Sequence, residues 1–236
     1  KNTYGTGCFA LTNTGTDIIE SDNGLLTTIA YQIEGKDPLY ALEGSVPIAG
    51  AAVQWLRDNL NIIKSSDEIE SLAMGEKDNG DVYFVPAFSG LFSPHWDETA
   101  RGALFGLTRF SNKSHIARSV LESVAFQSFE LLQSMEKDLD IEFQNLKVDG
   151  GMVSNNLLMQ FQSDILNKTI ISQEINEITA LGAGVASFIF SENLKIENVG
   201  DFISTSKTWN PNMSNESRED LLTSWFKAIE KSKHWL

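Results

Sequence analysis

The residues most able to do chemistry in this chain are glycines placed so as to expose backbone. Val148-Asp149-Gly150-Gly151-Met152-Val153-Ser154-Asn155-Asn156 joins a short apolar run to a helix start. Leu146 and Val148 read as the end of a buried strand. Gly150 and Gly151 force a turn that residues with a Cβ could not make cheaply, and Ser154, Asn155 and Asn156 are good N-cap residues. Strand, glycine turn and helix N-terminus in that order present free N–H groups and let a flat or anionic ligand approach the main chain. A tight turn with no ligand has the same pattern, so the glycine pair alone leaves both readings open. Two further stretches are of this kind. Thr3-Tyr4-Gly5-Thr6-Gly7 begins a β-hairpin in which glycines flank a hydroxyl, although the lysine and spacing of a P-loop are absent. Ala49-Gly50-Ala51-Ala52 and Ala180-Leu181-Gly182-Ala183-Gly184 are helix starts of unusually small residues, open to a ligand, another backbone or close helix packing.

The elements that must position these turns follow from hydrophobic period. Residues 1–43 read as an antiparallel meander. Its strands are Thr6 to Thr12, a short Ile18-Ile19, Leu26 to Ile33 and Leu39 to Leu42, with turns at Asn13-Thr14-Gly15, Ser21-Asp22-Asn23-Gly24 and Gly35-Lys36-Asp37-Pro38. From Pro47 the spacing becomes three-four, and Ile48, Ala52, Val53 and Leu56 predict a helix to about Asn59. Ser65 and Glu68 have the form of a capping box opening a short helix to about Met74. Val82 to Val85 reads as a strand, and Pro86 to Gly102 as a long irregular stretch of the kind that is often functional. Helices are expected over 112–139, 155–166, 178–190, at Asp201-Phe202-Ile203 and over 217–231, with strands at 146–148 and 169–172. A meander followed by alternating helix and strand implies an α/β fold, a mixed sheet flanked by helices.

Composition narrows the partners. A net charge of −14 argues against nucleic acid or an anionic membrane surface. One cysteine, Cys8, excludes an intrachain disulfide and fits a reducing, cytoplasmic compartment. His95, His115 and His234 lack ligand spacing, so no metal ligands are expected. No apolar run approaches a membrane span, and the first residues carry no signal-peptide pattern. Lys1-Asn2-Thr3 runs straight into a glycine motif without a starting methionine, which suggests a piece of a longer chain. Arg57-Asp58 and Arg101 read as structural ion pairs rather than phosphate binders, and the five scattered tryptophans as core or loop anchors.

Taken in order, Gly5-Thr6-Gly7, Asp149-Gly150-Gly151 and Thr179 to Gly184 resemble the second phosphate loop, adenosine loop and second connecting helix of the actin-like ATPase superfamily, of ribonuclease H-like fold. The likeness sharpens at Gly102-Ala-Leu-Phe-Gly106-Leu107, His115-Ile116 and Ser119-Val120-Leu121-Glu122. These fit the second signature of the FGGY carbohydrate kinase family over 21 positions. Within that family the chain is similar to the branch that acts on glycerol, through Asn2 to Phe9, Asn23 to Thr28, Ala41-Leu-Glu-Gly44, Gln54-Trp-Leu-Arg-Asp58, Val85 to Gly90, Met159-Gln-Phe-Gln162 and Thr179-Ala-Leu-Gly182. The resemblance covers about residues 1–190.

The resemblance implies one C-terminal, nucleotide-binding domain over residues 1–236, with the N-terminal lobe lying before Lys1. It implies ATP or ADP with Mg²⁺ as cofactor, and transfer of the γ-phosphoryl group to glycerol, giving sn-glycerol 3-phosphate. Thr6 and Gly7 match the positions that face the nucleotide phosphates, and Phe9 the aromatic that packs on the glycerol carbons. Gly50 and Gln54 match the helix start beside the nucleotide, and Gly151 and Asn155 the adenosine contacts. The base aspartate and most polar glycerol contacts belong to the preceding lobe, so no catalytic residue is assigned and the isolated chain is expected to be inactive. Asp17, Asp22 and Asp37 match no such base, and Asp149 matches the adenosine-loop aspartate, a structural or water-linked residue rather than the base. The full-length protein is expected to be a homo-oligomer. Another FGGY sugar kinase, or a non-catalytic actin-like nucleotide- or partner-binding module, remain the alternatives.

Overall fold

The computed structural model describes residues 1–175, 177–192, 199–200 and 203–236. Its main sheet holds seven strands: β1 (Asn2–Tyr4), β2 (Cys8–Gly15), β3 (Leu26–Tyr31), β4 (Leu39–Val46), β7 (Asn145–Asp149), β8 (Thr169–Gln173) and β9 (Thr205–Trp209). Their spatial order is β3-β4-β2-β1-β7-β8-β9. The meander pairs antiparallel, β1 with β7 and β7 with β8 pair parallel, and β9 closes the far edge antiparallel. This is the expected mixed sheet. A small second sheet pairs β5 (Tyr83–Val85) with β6 (Ala103–Phe105).

Alternation along the strands decides which face carries the core. On β2, Cys8 and Ala10 are buried while Phe9 between them is 46% exposed. The buried face is covered by α3 (Lys113–Leu139) and α4 (Asn156–Leu166), with α1 (Gly50–Asp58), α2 (Glu68–Ala73) and α6 (Asn215–Ser232) packed outside them. Phe126 of α3 stacks on Trp225 of α6 at 5.0 Å and meets Phe161 of α4 edge-on at 5.4 Å, so one ring ties three helices together. Two hydrogen bonds run between buried polar side chains under the sheet: the Tyr4 hydroxyl donates to Gln162 Oε1 at 2.6 Å, and Asn2 Nδ2 to Ser128 Oγ at 3.2 Å. Burial pushes both the Tyr4 phenol and the Cys8 thiol far up, so neither ionises at neutral pH. The remaining helix, α5 (Ile178–Glu192), is mostly exposed.

Several local expectations are corrected. Ile18-Ile19 is not a strand, since the chain there pairs with no strand among the described residues. Ser65 does not box α2. Its N-cap is Asp67, without a side-chain cap bond, and Glu68 instead accepts the Lys64 N–H at 2.9 Å. Arg57 does pair with Asp58, at 2.6 Å. Among the described residues Arg101 makes no ion pair; its guanidinium donates to the carbonyls of Glu98 and Ala100. Trp225 is core, and Trp96 anchors a loop through its Nε1–H to Gly24 O, but Trp235 is exposed. Asp201 and Phe202 lie outside the described residues, and Ile203 is in neither helix nor strand. Residues 86–102 are irregular as expected, and are fixed to Gly24 by Ser93 and Trp96 and to the C-terminal segment through Asp97 and the His234 N–H.

Candidate functional site

The two glycine turns are brought together by the parallel pairing of β1 and β7, in which Asn2 faces Val148 and Thr3 faces Asp149. Gly150 follows with φ +96°, and a Cβ there would stand 2.4 Å from Tyr4 O. The second turn is therefore pressed against the end of β1, where the first begins. Asp149 is buried and pairs with Lys1 Nζ at 3.0 Å, a structural tie between the two strands.

The Gly5-Thr6-Gly7 turn carries the start of α1. Ala49 and Ala51 donate to Thr6 O at 2.9 and 3.0 Å, and Gly50 donates to Gly5 O at 3.0 Å. These bonds satisfy N–H groups that a helix start normally leaves open, which accounts for a first turn with no side-chain cap. They also explain the small residues. A Cβ on Gly50 would be 2.6 Å from Gly5 O, and one on Gly7 2.4 Å from Val46 O. Gly7 is thus a glycine for the sake of backbone packing. Thr6 is exposed at the apex, and its hydroxyl has no protein partner among the described residues.

The Gly150-Gly151 turn continues as a short 3-10 helix, Gly151–Ser154, and then α4. Asn155 is the α4 N-cap, and its Oδ1 accepts the Leu158 N–H at 2.8 Å. Glu70 of α2 reaches across, and its Oε1 accepts the Leu157 N–H at 2.9 Å. With those two donors occupied, the α4 N-terminus is a poor anion seat, and the amide Nδ2 of Asn155 is left as a donor.

A cavity of about 240 Å³ opens between these elements. Its apolar walls come from Val53, Ile69, Leu121 and Met152, and its polar edge from Ser66, Asp67, Glu70, Ser154 and Asn155. Gly50 and Gly151 complete it. A Cβ on Gly151 would meet nothing within 4 Å, so protein packing does not require glycine there. Apolar walls with a polar edge suit a flat heteroaromatic ring.

Of the residues singled out by sequence, Gly50, Gly151 and Asn155 come together at this cavity, and Thr6 and Gly7 form the adjoining turn. Gln54 is exposed one helical turn beyond Gly50 and does not line the cavity. Phe9 stands apart, on the sheet face opposite the core, in register with Thr3. The sequence reading missed the α2 wall, Ser66 to Glu70, because a short polar helix gives no sign of the loop it faces. Among the described residues no group of three or more His, Cys, Asp or Glu could hold a metal ion, and no helix is long and apolar enough to cross a membrane.

A hairpin turn beside a strand–Gly-Gly–helix turn, on a mixed sheet with this strand order, defines one lobe of an actin-like fold. The chain belongs to the FGGY family of carbohydrate kinases: the model of that family's C-terminal domain matches residues 1–189. Similar curated proteins are the glycerol kinases of Brucella anthropi, 53% identical over the whole of this chain and 48% of that protein, and Methylobacterium radiotolerans, 52% identical over the whole chain and 47% of that protein. The chain thus spans about half the length of the curated relatives it matches. Among solved structures, a Plasmodium falciparum glycerol kinase with ADP superposes with a TM-score of 0.89 at 36% identity, over 98% of this chain and 46% of that one. A gluconate kinase from Lactobacillus acidophilus shares the fold, with a TM-score of 0.79 at 21% identity over 98% of this chain and 46% of that one.

Proposed function

We propose that residues 1–236 are the C-terminal, nucleotide-binding domain of an ATP-dependent glycerol kinase, which transfers the γ-phosphoryl group of ATP to glycerol and gives sn-glycerol 3-phosphate. The observation that carries this reading is the cavity at Gly151, which holds open a space that the protein's own packing does not need. The relatives named glycerol kinase, one of them solved with ADP, support the choice of ligands.

In this reading the base enters between Val53, Ile69, Leu121 and Met152, with Gly151 and Asn155 at its edge. Gly50 and Gln54 flank the nucleotide along α1, and Thr6 and Gly7 face its phosphates. The exposed Thr6 hydroxyl is free to donate to a phosphate oxygen. Mg²⁺, bound with the nucleotide, supplies neutralisation of phosphate charge. Phe9, 46% exposed on the open sheet face, is the apolar surface for the glycerol carbons. The group that accepts the glycerol hydroxyl proton comes from a preceding lobe, and closing the two lobes completes the site. A cytoplasmic, homo-oligomeric full-length enzyme is part of the same proposal.

The test is a substrate panel of glycerol, xylulose and gluconate with ATP. A protein carrying both lobes should phosphorylate glycerol with the highest kcat/KM, and the isolated chain should show no turnover. Preference for another substrate would move the protein to another branch of the family. Turnover by the isolated chain would refute the missing-lobe account.

A further inference from the structure

We propose that Glu70 sets the purine preference of the cavity, favouring a 6-amino over a 6-oxo base; this rests on reading the cavity as the nucleobase site. Glu70 lines the cavity and is fixed in place, because its Oε1 accepts the Leu157 N–H at 2.9 Å. Its Oε2 has no protein partner among the described residues. Across the edge, Asn155 Oδ1 is committed to the Leu158 N–H at 2.8 Å, which fixes the amide so that its Nδ2 remains a donor. Glu70 and Asn155 therefore present one acceptor that cannot donate and one donor that cannot accept.

A 6-aminopurine carries the complementary pair, an N6–H donor beside the N1 acceptor. A 6-oxopurine reverses both: its O6 would face the carboxylate, and its N1–H would face the Asn155 amide. Asp67 also lines the cavity, and two carboxylates at this edge keep phosphate out, so the base enters rather than the phosphate end. Of the two hydroxyls at the edge, the Ser154 Oγ donates to Gly151 O at 2.9 Å, and the Ser66 Oγ accepts from Arg57 at 3.3 Å and keeps its own O–H.

The experiment titrates the chain with Mg-ADP and Mg-IDP by calorimetry, for the wild type and for Glu70→Gln. The variant keeps an oxygen for the Leu157 N–H and converts the free acceptor into a donor. The wild type should bind Mg-ADP at least about tenfold tighter than Mg-IDP, and Glu70→Gln should cut that ratio about tenfold without shifting Tm. A wild-type ratio near one overturns the inference whether or not the variant folds. Tight Mg-ADP binding with a ratio unchanged by Glu70→Gln also overturns it, while the nucleotide reading stands. Binding of neither nucleotide by the wild type removes the nucleotide reading and the inference with it.

Discussion

A Cβ on Gly150 would stand 2.4 Å from the Tyr4 carbonyl oxygen, whereas one on Gly151 would meet nothing within 4 Å. The first glycine is held by the fold and the second by what the cavity admits. Gly150→Ala, at φ +96°, is expected to lose about 2 kcal/mol or more of stability, read as a fall in the denaturant midpoint. Gly151→Leu is expected to leave the midpoint within about 0.5 kcal/mol and to abolish Mg-ADP binding. Glu122 gives a separate test at this scale. It is buried on α3, and burial raises its carboxyl to about 7 from an ordinary 4.5, against the pull of Arg118 at 2.9 Å. Between those values the folded protein holds a proton that the unfolded chain has released. Stability therefore falls as pH rises through that window, by on the order of 3 kcal/mol in full. Thermal melts from pH 4.5 to 7.5 should show the decline, and Glu122→Gln should flatten it.

The helices that frame the cavity begin in different ways, and sequence revealed only some of them. At α3, Asn112 accepts the N–H groups of Ser114 and His115, and the His115 ring returns a bond to the Asn112 N–H. Asn112→Ala should cost about 1 kcal/mol in chemical denaturation. α1 instead starts on the carbonyls of the Gly5-Thr6-Gly7 turn, far away in sequence from its own N-terminus. Its small residues announced a close approach, but not that the neighbour was this turn. The long period of α3 and the strand–Gly-Gly–Asn pattern before α4 were legible because local composition alone sets them. β9 was not, since Thr205-Ser206-Lys207-Thr208-Trp209 exposes all but Trp209 and shows no apolar alternation. The Ser65–Glu68 pattern misled because Glu68 turned back to Lys64, while Glu70 took the role of capping α4. The stack of Trp225 on Phe126 was equally hidden, as it joins residues about a hundred positions apart. Trp225→Ala should destabilise by about 3–5 kcal/mol, a loss that denaturant unfolding would register.

At the scale of the whole molecule, one sheet face carries the helical core and the other presents Phe9, in register with Thr3. The cavity lies at the end of β1 and β7, where the two glycine turns meet, so cavity and Phe9 belong to one lobe. The family was readable from signatures between Gly102 and Glu122, yet those residues mostly build α3 and its approach rather than touch the cavity; only Leu121 lines it. The central claim is that this lobe by itself presents a nucleotide site at Gly151. Calorimetric titration of the chain with Mg-ADP tests it most directly. The account expects one site per chain that disappears in Gly151→Leu while the fold survives. Absence of binding to the wild type at millimolar Mg-ADP, or binding that Gly151→Leu leaves unchanged, would contradict it.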